Sequence, residues 1–412
     1  MYIKIILLLS GNGTIMQIIK IFSERKDDLQ TGFAWIAYLF VNVIFCIKYN
    51  PFEGIHPLYF LVFYPLIVIG IYKLTTYRHI QQKNYFFLAM ALGILLFSLF
   101  LLLYIDRWTV NVDRWSALAS WSESLKNGNL TYASHTHLDG YASPFPVWQL
   151  FHFPFYLLGD TGYGELFCLL IFFISLFRWR TKINIGGIIL LLALSPGFWW
   201  EIAVRSDLLC NMLLLFVFLT ALFYHSDYWE KRKILAAAIV GLFLCTKLFV
   251  AIPLALYFFP RFIKYNLKEK VGFASMVIAC FFIPFLPFLF GEGSILNHPE
   301  YNPFVLQLCQ GKDWQSCRGN IWILAAGCIP LLSAAFLWKR MKDLYFLTGL
   351  FLFALILAVG IRTGLRDGWR SALFDASFDK SYFNVCIPFF LFVIHELKTK
   401  SFNIKQLFSP KS

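Results

Sequence analysis

The chain has 412 residues, of which 59% are hydrophobic and 14% are charged. Soluble domains carry about 25% charged residues, so this composition excludes a water-soluble enzyme and a disordered chain, and the length excludes a disulfide-stapled mini-protein. The net charge of +13 would suggest a nucleic-acid partner in a soluble protein, but in a membrane protein an excess of basic residues reports topology instead.

The hydrophobic residues are grouped in runs near the length of a membrane crossing. Ten runs are predicted spans: 32–48, 56–72, 85–105, 163–177, 184–200, 208–225, 271–290, 321–338, 344–361 and 382–396. A further stretch, 234–259, is interrupted by Thr246 and Lys247, which predicts two short helices that meet there as a hairpin. Residues 145–158 are too short and too rich in proline to cross, and residues 1–22 are ambiguous between a crossing and a surface segment.

These runs predict an all-α, polytopic membrane protein with about eleven to thirteen transmembrane or re-entrant helices. More than half of the Lys and Arg residues fall in short loops that we place in the cytoplasm, together with the charged N- and C-terminal segments. This pattern suits a plasma membrane such as a bacterial inner membrane. The single domain, 1–412, then divides into N-terminal helices (1–84), a first large exoplasmic loop (106–162), a helical core (163–396) and a basic cytoplasmic tail (397–412).

The longest polar stretch, 104–147, belongs to this first exoplasmic loop and begins with two acidic residues, Asp106 and Asp113. They lie near the mouth of a membrane helix, where water is scarce. A carboxylate in such a place can act as a general base near neutral pH. The alternative is that the two residues pair with Arg107 and Arg114 as ordinary interfacial charges.

Residues 115–125 follow these acids with an amphipathic helical pattern. The pattern predicts an interfacial helix that lies in the membrane surface with Trp115, Leu118 and Trp121 or Leu125 facing lipid. We therefore expect the first exoplasmic loop to carry interfacial helices.

Several motifs recur together along the chain. Asp113 is followed by Gly128, Tyr132 and a Pro-rich aromatic stretch at 144–146; Ser195-Pro196 is followed by Arg205-Ser206-Asp207; Gly241 begins a small-residue segment that ends at Thr246-Lys247; and Ser381-Tyr382-Phe383 leads to Pro388. In this combination the chain resembles GT-C-type glycosyltransferases, which are multi-pass enzymes that use polyprenyl-phosphate-linked sugars. The helices before residue 85 depart from that family, in which the acidic loop commonly follows the first span.

The resemblance implies a glycosyltransferase that moves a sugar from a polyprenyl-phosphate donor to a lipid-linked or cell-surface glycan acceptor at the exoplasmic face, usually with inversion. The family's conserved acid corresponds to Asp113, the expected general base. Asp106 competes for this role because the motif does not fix the register, and Asp207 is a further catalytic candidate. The expected partners are the donor, the acceptor and membrane lipids, with no nucleic acid.

Two cations could hold the departing phosphate on the same side of the membrane. Lys247 interrupts an apolar run, where a central lysine costs about 3 kcal/mol and usually faces a cavity. Arg205 could form two parallel hydrogen bonds to phosphate oxygens. The alternatives are a lysine that merely extends to the interface and an ion pair between Arg205 and Asp207.

A third basic group consists of Arg362, Arg366 and Arg370, which cluster in a predicted exoplasmic loop against the general charge trend. Arg362 and Arg366 are four residues apart and could share one helical face. We expect them to bind substrate; the alternative is charge balance against Asp367, Asp375 and Asp379.

His135, His137 and Asp139 form an H-x-H-x-D cluster in the acidic loop. Such side chains can bind a metal, but the spacing is a weak signal, so we name no metal ligand and leave any divalent cofactor open. We predict substrate contacts for the two histidines; the alternative is a plain solvated loop. Nearby aromatic side chains could stack on sugar rings or anchor the loop at the interface; they are Trp108, Trp115, Tyr132 and Tyr141.

Cys309 and Cys317 share one predicted exoplasmic loop, which allows a disulfide in an oxidising compartment. Three other functions remain open besides transfer: a flippase or transporter of lipid-linked saccharide, a polysaccharide polymerase or ligase, and a noncatalytic assembly subunit. A transporter often shows internal repeats, and none is visible. By resemblance, polymerases carry their large loop late in the chain, whereas here the largest loop is early.

Overall fold

The computed structural model describes residues 26–49, 54, 56–77, 84–181, 183–309, 314–374 and 377–395. Over these residues the chain forms helices and no strand, apart from an isolated bridge between His135 and Tyr141. The predicted all-α class is therefore confirmed. The ambiguous segment 1–22 and the tail 397–412 lie outside the described residues.

The helices are named here in chain order. They are α1 (Lys26–Lys48), α2 (Phe60–Tyr77), α3 (Asn84–Tyr104), α4 (Arg114–Lys126), α5 (Pro146–Leu157), α6 (Tyr163–Arg178), α7 (Ile185–Ala193), α8 (Pro196–Ala203), α9 (Leu208–Tyr224), α10 (Ser226–Glu230), α11 (Lys233–Leu244), α12 (Ala251–Lys264), α13 (Leu267–Phe282), α14 (Leu286–Leu289), α15 (Pro303–Cys309), α16 (Trp314–Ala334), α17 (Met341–Asp367), α18 (Trp369–Phe374) and α19 (Ile387–His395). Short 3₁₀ turns occur at Pro57–Tyr59, Arg107–Thr109, Leu248–Val250, Ile283–Phe285 and Lys380–Cys386.

Six helical segments in the described part of the chain are long and apolar enough to cross a membrane: Lys26–Lys48, Pro57–Thr75, Tyr85–Tyr104, Leu267–Leu289, Cys317–Ala334 and Met341–Asp367. A seventh is formed if α7 and α8, which meet at an angle of 65°, count as one broken span. The protein is thus a polytopic membrane protein. The larger predicted count also included apolar helices that prove shorter than a full crossing, such as α9 and α11.

The apolar stretch 234–259 is broken in the middle, as predicted. Helix α11 ends at Leu244, and the chain becomes helical again only at Leu248. Gly241 allows α11 to pack closely on α13, because a Cβ at this position would lie 2.5 Å from the carbonyl oxygen of Val277. Lys247 therefore lies at the break between α11 and α12 rather than inside one continuous helix.

The main core lies where α6, α9, α17 and α19 pack together. The buried rings of Phe216 and Tyr345 are 4.9 Å apart, and those of Tyr345 and Phe389 are 5.4 Å apart. The hydroxyl of Tyr345 also donates a hydrogen bond to the carbonyl oxygen of Phe216 at 3.0 Å. This packing brings the segments that precede α9 and α19 side by side.

Helix α4 forms where the amphipathic pattern predicts it, but its apolar face does not point to lipid. Trp115, Leu118 and Trp121 are 2%, 1% and 0% exposed. Trp121, for example, packs against Tyr132 and Phe288, which come from a loop and a helix turn elsewhere in the chain. The prediction of a lipid-facing helix was wrong because the pattern shows that one face is apolar but not which partner covers it.

Candidate functional site

The helix break holds Lys247 against Asp207. The lysine Nζ lies 2.8 Å from Oδ1 and 2.7 Å from Oδ2 of this carboxylate. Both residues are buried, at 5% and 0% exposure. The indole N–H of Trp148 on α5 donates a further hydrogen bond to Oδ2 at 2.7 Å. Pairing of this kind offsets the cost of taking two charges out of water.

Asp207 is positioned by its place at the start of α9. It precedes Leu208, the first residue of that helix, and its side chain makes no capping hydrogen bond. The carboxylate is therefore available to Lys247 and Trp148, while the positive end of the helix dipole favours its negative charge.

Arg114, the first residue of α4, forms a second, partly buried polar cluster beside this pair. Its guanidinium donates to Ser206 Oγ at 2.6 Å and to Ser381 Oγ at 2.7 Å, and it pairs with Asp379. Glu201 Oε1 lies 3.9 Å away. Arg114 thus joins the first loop to the α8–α9 turn and to the segment before α19.

From the sequence, Arg114 was interpreted only as a partner for the neighbouring Asp113, and that interpretation was wrong. Its ion-pair partner, Asp379, lies 265 positions further along the chain. Glu201 was also missed; it is fully buried and accepts hydrogen bonds from Asn384 Nδ2 at 2.9 Å and from the backbone N–H of Leu209 at 3.2 Å. Contacts of this range leave no local signal in a single sequence.

Asp113 lies at the edge of the same region. Thr136 donates a hydrogen bond to its Oδ2 at 3.1 Å. The loop can approach this carboxylate because residue 140 is glycine; a Cβ there would lie 2.7 Å from Oδ2. The side chain is half-buried rather than enclosed. A hydroxyl group of a substrate could therefore reach it.

Tyr382 connects these acids. Its ring centroid is 5.1 Å from the Arg114 guanidinium carbon. Burial raises the pKa of the Tyr382 hydroxyl to about 12; the charges of Asp379, Asp207 and Asp113 act in the same direction, and Arg114 opposes them. Arg114 follows Asp113 directly in the chain and donates to Ser206, the neighbour of Asp207, so the two acids border one region around this arginine.

Asp106, the competitor for the base, has a local structural role. Its Oδ1 accepts a hydrogen bond from the backbone N–H of Trp108 at 3.1 Å and so caps a short 3₁₀ turn at an exposed position. The neighbouring Arg107 lies 3.7 Å from Asp160 instead. The proposed pairing of Asp106 with Arg107 is thus not the one observed, and Asp106 fits a capping role.

Arg205 is engaged away from Asp207. Its Nε lies 2.9 Å from Asp160 Oδ2, and its Nη2 donates to the carbonyl oxygens of Leu102 and Ile105 at 2.7 and 2.9 Å. It is 2% exposed and has a φ of 55°. The alternative of an Arg205–Asp207 pair was wrong, and the guanidinium fits a role in fixing the end of α3 rather than in holding phosphate.

The three late arginines are not brought to Lys247 as a group. Arg362 donates to Asn320 Oδ1 at 3.1 Å. Arg366 binds the carboxylate of Asp367 through two hydrogen bonds of 2.6 and 2.7 Å on an exposed surface. Arg370 is exposed. The pairing of Arg366 agrees with the alternative of charge balance.

The aromatic and histidine candidates form the inside of the first loop. Tyr132 is buried and donates to the carbonyl oxygen of Pro144 at 3.1 Å. His137 shares a hydrogen bond of 2.7 Å with Ser116 Oγ, and the ring of His135 lies 4.5 Å from that of Tyr141. Within the described residues, no group of three or more His, Cys, Asp or Glu side chains could hold a metal ion.

An apolar cavity of about 580 Å³ lies between α12, α16 and α17, and Lys247 and Tyr382 are among the residues that line it. Its walls are mainly aliphatic and aromatic. The polar residues among its lining are Ser143, Lys247, Gln307, Asn320 and Tyr382. A mainly apolar space is thus lined in part by a buried cation that pairs with Asp207.

Comparisons of the chain with protein-family models, with curated proteins and with solved structures found no match. The geometry itself therefore carries the functional argument. An apolar cavity with a few convergent polar groups is the general form of a site for an amphiphilic ligand.

The Arg114–Asp379 pair predicts a loss of stability in acid. Burial alone would raise the pKa of the Asp379 carboxyl, but Arg114 and the hydrogen bonds from Ser381 lower it below its ordinary value. Stability from a lowered carboxyl pKa is present at neutral pH and is lost as the pH falls below about 4. We expect the wild type to unfold at a higher temperature than Asp379→Asn at pH 7 and to lose this advantage near pH 3. A gap that stays constant between these pH values would contradict the prediction.

Proposed function

We propose that the chain is a glycosyltransferase that transfers a sugar from a polyprenyl-phosphate donor to a glycan or lipid-linked acceptor outside the cytosol. The observation that carries this proposal is the apolar cavity that Lys247 helps to line. An isoprenoid chain needs apolar walls, because each buried CH₂ contributes about 0.8 kcal/mol, and its phosphate needs a cation. The cavity offers both.

Lys247 would hold the phosphate without having to leave Asp207. An ammonium group has three N–H donors, so one or two can remain on the carboxylate while another reaches a phosphate oxygen. As the sugar leaves, negative charge grows on the phosphate, and a cation fixed at this place stabilises that charge. Arg114, through Ser206, keeps the Asp207 segment in position.

Asp113 would act as the base in this reaction. The acceptor oxygen forms a bond to the anomeric carbon, the bond from that carbon to the phosphate oxygen breaks, and the hydroxyl proton passes to the Asp113 carboxylate. Thr136, which donates to Oδ2, fixes the orientation of the carboxylate. The lipid phosphate leaves with the electron pair of the broken bond.

The disulfide between Cys309 and Cys317 supports placing the site outside the cytosol. Disulfides persist in oxidising compartments and are rare in the cytosol. Helix α15, which ends at Cys309, also supplies Gln307 and Leu308 to the wall of the cavity. The distribution of Lys and Arg favours the same orientation.

The cavity supports an enzyme over a flippase because several of its polar residues adjoin one another. Gln307 bonds to the backbone of Leu248 and Ser143, and Asn320 bonds to the backbone of Leu308 beside Gln307. A flippase would need to stabilise a charged headgroup at several depths across the membrane. In the described part of the chain, the remaining wall of the cavity is aliphatic and aromatic, which suits a lipid tail that stays on one side.

Filling the cavity tests the proposal. Gly327 on α16 lines the cavity, and a Cβ at this position would meet no atom within 4 Å. Gly327→Phe is therefore expected to leave the unfolding temperature unchanged but to weaken binding of undecaprenyl phosphate roughly tenfold or more, because it displaces buried CH₂ groups. Binding is measured by native mass spectrometry of the full chain in detergent.

Gly93→Phe is the matched control, since Gly93 on α3 is exposed and also has open space around it. It should bind the lipid like the wild type. Wild-type protein that fails to bind undecaprenyl phosphate, or a Gly327→Phe variant that binds it normally, would contradict the proposed site.

A further inference from the structure

Gln307 on α15 bridges two segments beside Lys247. Its Oε1 accepts a hydrogen bond from the backbone N–H of Leu248 at 2.8 Å, and its Nε2 donates to the carbonyl oxygen of Ser143 at 2.7 Å. Leu248 follows the lysine directly, and Ser143 belongs to the first loop. These four residues all line the apolar cavity. One amide group thus ties the helix break to the loop in front of it.

On the other side of the break, two backbone hydrogen bonds join the helix break to the start of α5. The N–H of Phe145 donates to the carbonyl oxygen of Thr246 at 3.0 Å, and the N–H of Val147 donates to that of Cys245 at 3.2 Å. Non-helical backbone away from water must find such partners, because an unpaired buried N–H or C=O group is costly. The N–H of Leu248 instead donates to the side chain of Gln307, so a substitution at residue 307 can remove this hydrogen bond.

The helix that carries Gln307 depends on neighbours for its own position. Helix α15 has 7 residues, too few to be stable alone in the absence of tertiary contacts. Its last residue, Cys309, forms a disulfide with Cys317 on α16. Asn320 on α16 adds a hydrogen bond of 2.8 Å from its Nδ2 to the carbonyl oxygen of Leu308. The disulfide is thus the covalent tie between the glutamine and a long membrane helix.

We infer that Gln307 is a positioning residue for Lys247, and that the Cys309–Cys317 disulfide holds it there, so that binding of a lipid phosphate at the cavity depends on the oxidised state of the loop. The ligand in this inference rests on the proposed function, whereas the hydrogen-bonded clamp made by Gln307 does not. Glutamine suits the clamp because its amide supplies an acceptor and donors together, whereas glutamate supplies acceptors only.

Hydrogen exchange at the Leu248 amide tests the clamp in the full chain without any ligand. The amide is expected to be protected in the oxidised wild type and to exchange roughly tenfold faster in Gln307→Ala, which loses one hydrogen bond. Gln307→Glu keeps an acceptor for Leu248 and should restore most of the protection. Gln30→Ala, which removes the side-chain amide that bonds to Asp343, is the control and should leave Leu248 unchanged.

Reduction of the disulfide in the wild type repeats the test without a substitution that could fail to fold. It is expected to speed exchange at Leu248 and to weaken binding of undecaprenyl phosphate roughly tenfold, as Gln307→Ala should. Exchange at Leu248 that responds neither to reduction nor to Gln307→Ala would overturn the clamp. A clear response in exchange, together with wild-type protein that does not bind the lipid, would support the clamp and overturn the proposed function instead.

Discussion

Replacing Lys247 with methionine is expected to lower the free energy of unfolding by about 3–5 kcal/mol and to abolish binding of undecaprenyl phosphate. The loss of stability follows because Asp207, 0% exposed, would keep a buried charge without its cation. The loss of binding follows because an apolar side chain would replace the cation that lines the cavity. Stability is measured by denaturant unfolding in detergent, and binding by native mass spectrometry.

The two effects separate in a double variant. Lys247→Met combined with Asp207→Asn removes both charges, so most of the stability should return, whereas lipid binding should remain absent.

Asp207→Asn alone gives a further test of the lysine. This variant leaves Lys247 without its carboxylate, and a phosphate can take the place of the missing carboxylate. Undecaprenyl phosphate should therefore raise the unfolding temperature of Asp207→Asn by more than that of the wild type.

Lys233→Met is the matched control for this series. Lys233 pairs with Glu269 at 2.8 Å, but both side chains are partly exposed, and such pairs contribute at most about 1 kcal/mol. The control should change neither stability nor lipid binding appreciably. A Lys247→Met variant that binds the lipid phosphate as well as this control would exclude the lysine as its ligand.

The helical class and the main break in the helices could be predicted because both depend on local properties of the sequence. Run length and mean hydropathy identify membrane helices, and a Thr-Lys pair amid apolar residues marks the interruption observed at Cys245 to Lys247. The burial of Trp115 and Trp121 could not be predicted. Lipid and a protein interior are both apolar, so a helix pattern alone does not distinguish them.

Some residues of the candidate site could likewise be predicted, because they have a local signal in the sequence. Lys247 could be identified because a lysine in an apolar run needs an explanation, and Asp207 because it opens a helix. Their direct pairing across 40 positions could not be deduced, nor could the partners of Arg114. Arg205 shows the opposite case: its charge suggested a ligand for phosphate, but the fold pairs that charge with the Asp160 carboxylate and with backbone carbonyl groups.

Asp113→Asn is expected to reduce sugar transfer by about 10²–10⁴-fold, the usual contribution of a positioned general base. Binding of the donor lipid should be unchanged, because the proposed phosphate ligand is Lys247 and not this carboxylate. The fold should persist, since an asparagine oxygen can still accept the hydrogen bond from Thr136 that Asp113 accepts at 3.1 Å. The assay follows transfer of labelled sugars from a panel of polyprenyl-phosphate donors by the purified chain in liposomes.

Asp106→Asn is the matched control, because it makes the same chemical change in the same loop at a residue that caps a 3₁₀ turn. It should transfer sugar at a rate close to that of the wild type. If both variants were fully active, the base would have to be sought among the buried acids around Arg114, where Glu201 lies 3.9 Å from the guanidinium. Labelling of intact cells that placed residue 113 on the cytosolic side would contradict the proposed reaction. The base would then face the cytosol, whereas the Cys309–Cys317 disulfide indicates an oxidising compartment.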